Sequence, residues 1–111
     1  MRHVVKHNTI SEAATLILLS LAPEPRHGYA ILKDVEELSQ GRVMLSTGTL
    51  YGALRRMLED QWIERFEEPD PSRDRHAYRL TSSGHGVLTA EVLRMKQLTR
   101  IAATRLAGSE L

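Results

Sequence analysis

Residues 46–57, STGTLYGALRRM, gather the side chains of this chain best suited to a polyanion. Tyr51 offers a phenolic hydroxyl, Arg55 and Arg56 offer guanidinium groups, and Ser46 and Thr47 stand where a helix would begin. A phenol donates to a phosphate oxygen. A guanidinium binds phosphate or, well aimed, the O6 and N7 acceptors of guanine. The stretch has helical spacing, yet Gly48 and Gly52 interrupt it, each weakening a helix by about 1 kcal/mol relative to alanine. On a helical wheel Leu50, Ala53, Leu54 and Met57 share one side. Gly48, Gly52 and Arg55 share the opposite side, with Tyr51 and Arg56 at its edges. Two missing side chains on an exposed face let another surface approach the backbone closely, which a helix entering a major groove requires. Free N–H groups near Ser46, Thr47 and Gly48 form a partially positive end suited to phosphate. Taken alone, this pattern is equally a solvated face. Arg73, Arg75 and His76 add a second basic element at or near the tip of an expected hairpin, where it would touch an adjacent backbone.

These residues need a frame. Ser11 caps a first, strongly apolar helix running to about Leu21, which needs cover on nearly all sides and is ended by APEP. A second helix covers roughly 27–39, with Ile31, Val35 and Leu38 as its buried stripe. QGR then turns the chain, with Gly41 able to take a positive φ. The third helix is the stretch above, capped by Ser46 or Thr47. WIERFEE and RHAYRL read as strands on either side of PDPSRD, forming a hairpin with a long loop. Trp62 is expected as a core plug between that hairpin and the helices. Thr81 caps a final helix over about 81–107, where Leu88, Val92, Met95, Thr99, Ala102 and Leu106 repeat as a heptad seam. A terminal helix this long exceeds what a small domain covers, so a dimer contact is expected. The order predicts a mainly α fold with a small β-hairpin: a winged helix-turn-helix over residues 1–80, continued by a C-terminal dimerisation helix over 81–111 as one compact unit.

Composition narrows the function classes. The chain has 111 residues and a net charge of +1, so any basic surface is local. It has no cysteine, which removes disulfides, thiol catalysis and cysteine-ligated zinc and fits a reducing cytoplasm. Arg2 and Lys6 before AATLILLSLA imitate a secretion signal. That run is shorter than the ~20 residues a bilayer needs, and no clean cleavage site follows, so neither a membrane span nor export is expected. His3 and His7 have metal-ligand spacing without a third ligand nearby. His27 and His85 are expected in local hydrogen bonds, and His76 could tune polyanion affinity by titrating. No P-loop, G-x-S-x-G or H-E-x-x-H is present, so no enzyme activity and no cofactor are expected.

HGYAILKDVEE, GRVMLSTGTLYGALRRMLEDQWIE and RHAYRLTSSG together resemble the PadR family of bacterial transcription regulators, over about Leu16 to Gly84. The resemblance implies a homodimeric winged-helix repressor that binds double-stranded DNA at a roughly palindromic operator in the cytoplasm, at the nucleoid. By position, Ser46, Gly48, Thr49, Tyr51 and Arg55 match the family's DNA-reading helix, and Arg73 and Arg75 match its wing. Tyr78, in YRLT, matches a structural position. Regulation is expected from a ligand or partner that changes the angle or separation of the two heads, a small-molecule inducer of unspecified identity being one candidate. The family often has proline at the positions of Thr47 and Gly52, and compact relatives carry a tryptophan in the last helix; this chain has neither feature. The alternative readings are a winged-helix module that binds a protein, and a hydrophobic-ligand sensor with weak DNA binding.

Overall fold

A computed structural model of the chain describes residues 10–66 and 76–109. In order, the elements are α1 (Glu12–Leu21), β1 (Arg26–His27), α2 (Gly28–Leu38), α3 (Thr47–Glu59), β2 (Ile63–Phe66), β3 (Ala77–Leu80) and α4 (Ser82–Ser109). The expected caps form. Ser11 Oγ accepts the Ala14 N–H at 3.0 Å, Ser46 Oγ accepts the Thr49 N–H at 3.1 Å, and Thr81 Oγ1 accepts the Gly84 N–H at 3.0 Å. Each satisfies one of the backbone donors that a helix start leaves without a partner.

The helix ends are less legible. Gly41 takes a positive φ of 81°, as expected, but Gln40 before it is also left-handed at 55°, and Gln61 stands at 64°. Both glutamines sit just past a helix. After α2, Gln40 N–H bonds Glu37 carbonyl and Gly41 N–H bonds Glu36 carbonyl; after α3, Gln61 N–H bonds Leu58 carbonyl and Trp62 N–H bonds Met57 carbonyl. Each pair is a Schellman closure, which ordinarily favours glycine at the left-handed position.

The sheet has three antiparallel strands in the order β1-β3-β2. The hairpin of β2 and β3 is as expected; β1 is an addition, placing Arg26 opposite Tyr78 and His27 opposite Ala77. Two residues next to a proline carry no periodicity from which a strand could be read. Arg26 also fastens α1, donating from Nε to the Ser20 carbonyl at 2.7 Å, a cation at the helix's negative end.

The core joins Ile17, Leu18 and Leu21 of α1 to Ile31 and Val35 of α2, Leu50, Leu54 and Met57 of α3, and Ile63, Tyr78 and Leu88. Trp62 packs against it, as expected. Leu38 does not complete the buried stripe of α2: it is 50% exposed. Ser39 takes the buried place there, and its hydroxyl closes the turn by accepting the Val43 N–H at 2.9 Å. The cover of α1 is also incomplete, since Leu19 is exposed while Thr15 and Ser20 are buried.

The start of α4 is locked to the end of α3. Thr81 Oγ1 donates to the Gln61 carbonyl at 2.6 Å, and the Thr81 N–H donates to the Trp62 carbonyl at 3.0 Å. Gly84 lies under that same Trp62 carbonyl, where a Cβ would collide with backbone. Further along, Glu91 is buried, with Arg94 donating to its carboxylate at 2.5 and 3.1 Å. The Arg94 hydrogen bond, with help from the Ile10 N–H, holds the Glu91 carboxyl below the usual carboxylate range. Glu91 thus ties α4 to the chain entering α1. From Leu93 to Gly108 every residue of α4 is exposed.

Candidate nucleic-acid interface

The inward side of α3 is as the wheel predicts: Leu50, Leu54 and Met57 are buried and Ala53 is half-buried. On the other side Ser46, Thr47, Gly48, Thr49, Arg55 and Arg56 are exposed and Gly52 is half-buried. A Cβ added at Gly48 would meet nothing within 4 Å, and one at Gly52 would meet only Arg56 Nη1 at 3.8 Å. The domain itself therefore has no steric use for either glycine.

The three edges of this face go to different places. Gly48, Gly52 and Arg55 point outward. Thr49 and Arg56 turn toward α1 and, with Ile17, Leu45, Met57 and Trp62, line a cavity of about 320 Å³ between α1 and α3. Tyr51 turns the other way, toward α2, with its phenol laid against Gly28. Tyr51 is still 45% exposed. The helix start is also partly engaged, because Ser46 Oγ donates to Thr49 Oγ1 at 2.9 Å while capping.

On the hairpin, His76 is exposed immediately before β3. Arg73 and Arg75 lie outside the described residues, as do His3 and His7. Arg79 is committed within the hairpin, donating to Glu64 at 2.7 Å and standing 4.9 Å above the Phe66 ring. Arg65 is a basic residue that sequence reading passed over, because it sits within the acidic run EDQWIERFEE. In the sheet it stands opposite Tyr78. Burial raises the Tyr78 pKa above the usual phenol range, the nearby Tyr51 adds to the rise, and Arg65 opposes it. No cluster of metal-ligating side chains occurs among the described residues, and no described helix is long and apolar enough to cross a membrane.

This arrangement has counterparts in known proteins. The model of the transcriptional regulator PadR-like family matches residues 17–90. A PadR family transcription regulator from Clostridium difficile superposes with a TM-score of 0.72 at 24% identity, covering 86% of this chain and 99% of that one. A PadR-like transcription factor from Bacteroides fragilis gives a TM-score of 0.69 at 25% identity, over 82% of this chain and 86% of its own. A 37.1 kDa protein in transposon TN4556 of Streptomyces fradiae is 37% identical over 89 residues, 80% of this chain. The chain spans only 24% of that relative's length. The family model reaches from α1 into α4, and the solved relatives superpose over most of the chain, so this chain belongs to the PadR-like family of transcriptional regulators.

Proposed function

We propose that the chain acts as a homodimeric repressor that reads a palindromic operator in double-stranded DNA. The family is one of transcription regulators, which supports DNA as the partner. The observation that carries the reading is the outward face of α3, where Gly48 and Gly52 leave open space that the domain does not fill and Arg55 stands beside it. In this reading the Gly48–Gly52–Arg55 face enters the major groove. Ser46 and Thr47 bring the helix start to a phosphate, and Thr49 and Arg56 meet the backbone at the edge. His76, exposed just before β3, reaches the neighbouring backbone from the wing.

The exposed length of α4 supports a second copy as the dimer partner. Leu93, Leu98 and Ile101 are 59%, 55% and 51% exposed, a degree of apolar exposure that association removes. Of the heptad positions, Leu88 is used in the domain's own core and Val92 is half-buried against it, while Met95, Thr99, Ala102 and Leu106 remain on the surface for a partner. Two-fold pairing would then present two copies of α3 to half-sites roughly 34 Å apart. An inducer that favours one separation of the two heads would regulate binding.

The test is selection of bound sequences from a random duplex pool at near-physiological salt. An enriched inverted repeat is the expected result. Retention that depends on salt but enriches no sequence would mean phosphate binding without readout and would end the repressor reading.

A further inference from the structure

Three separate stretches of sequence meet at one point beside α3. Gly28 opens α2, directly after β1; Tyr51 lies in the first half of α3; Tyr78 lies in β3, paired with β1. Gly28 is buried. A Cβ there would collide with Tyr51 Oη and would stand 2.8 and 3.2 Å from its Cζ and Cε1. The phenol thus occupies the place that any side chain at position 28 would take. Tyr78, only 4% exposed, lies near it, opposite Arg65 across the hairpin.

We propose that Tyr51 is a positioning residue: its ring, seated on Gly28 beside Tyr78, sets the angle of α3 against α2 and the sheet, and DNA recognition depends on it through that angle rather than through a phenol–phosphate bond. The proposal rests on the reading of α3 as the DNA-reading helix. The leverage comes from length. A helix of 13 residues is about 20 Å long, so a small tilt at Tyr51 moves Arg55 and the glycine face relative to base edges. Bidentate base contacts depend on such alignment, whereas phosphate contacts with long side chains tolerate it.

Two measurements test this. The first is a thermal double-mutant cycle on the full chain. Gly28→Ala lowers the melting temperature, because Tyr51 must leave its seat. In the Tyr51→Ala background the same change loses that cost, so the combined loss falls short of the sum of the single losses by about 4 °C or more. Additive losses overturn the proposal whatever DNA does. The second compares affinity for the selected operator with affinity for an unrelated duplex. Tyr51→Phe, which keeps the ring, is expected to hold operator affinity within about twofold. Gly28→Ala is expected to reduce the operator-to-nonspecific ratio about tenfold while leaving nonspecific binding unchanged, a loss of roughly one tenfold step in discrimination. If Tyr51→Phe weakens both duplexes alike, the hydroxyl is a phosphate donor and the positioning role falls. If the unaltered protein shows no sequence preference, the DNA-reading role falls instead, and the melting cycle still decides whether Tyr51 and Gly28 are coupled.

Discussion

Two pairs of glycines in this chain do opposite jobs. Gly28 and Gly84 are filled against: a Cβ at the first meets the Tyr51 phenol and at the second the Trp62 carbonyl. Gly48 and Gly52 face open space, or at most the end of Arg56. The distinction gives a prediction whose two readouts move in opposite directions. Gly52→Ala should raise stability by about 1 kcal/mol, since it improves helix propensity and meets no obstacle. It should also weaken operator binding by about tenfold, because a methyl group then stands between α3 and the groove floor. Chemical denaturation and a binding titration on the same variant check both. A more stable variant with unchanged affinity would mean that the glycine face does not meet DNA. The wheel already placed these glycines outward, because the direction of a helical side chain is a local property. It did not show that Tyr51 lies down on α2, because that depends on Gly28, far upstream in the chain.

Among the elements, starts were easier to read than stops. Ser11, Ser46 and Thr81 cap by a side-chain oxygen, a signal written in the residue type. The stops of α2 and α3 use Gln40 and Gln61 in the left-handed region, and glutamine announces nothing of the kind. A non-glycine residue held there costs roughly 1–2 kcal/mol. Gln61→Gly should therefore stabilise the protein by about 1 kcal/mol, less than the full relief because glycine loses more entropy on folding. A rise of several degrees in melting temperature, with operator affinity unchanged, is the expected outcome. A fall would show that the Gln61 side chain holds this corner by contacts of its own. The corner matters because the Gln61 and Trp62 carbonyls accept both hydrogen bonds from Thr81, joining α3 to α4.

For the whole molecule, the question is what covers α4. Its first turns belong to the domain through Leu88, Val92 and Glu91, and the rest projects, drawing the molecule out to 63 Å along its longest axis. A projecting helix of that kind has little to hold it in water without a packed partner. In the dimer proposed above, a double substitution, Leu98→Glu with Ile101→Glu, should leave the core intact and shift sedimentation from two chains toward one. It should also remove the dependence of melting temperature on protein concentration that a dimer shows. Operator affinity should fall steeply with it, since one head forfeits the tethered binding of the second. Unchanged sedimentation would show that these side chains lie outside the pairing surface. Leu98 and Ile101 were not in the heptad seam read from spacing, and Leu88 in that seam proved to be a core residue of its own domain. Heptad counting assumes that one face serves one partner, whereas here the same helix packs on its own domain at one end and leaves it at the other.

By itself the sequence determined the helix starts, the inward and outward sides of α3, the hairpin and the order that makes a winged helix-turn-helix. All of these follow from residue type and from periods of a few residues. Tertiary structure alone decided that Arg26 and His27 form a third strand, that Leu38 stays exposed, that Arg56 turns toward a cavity beside α1, and that Tyr51 sits on Gly28. Each depends on which distant segments are brought within van der Waals reach, and spacing along one helix or strand carries no record of that.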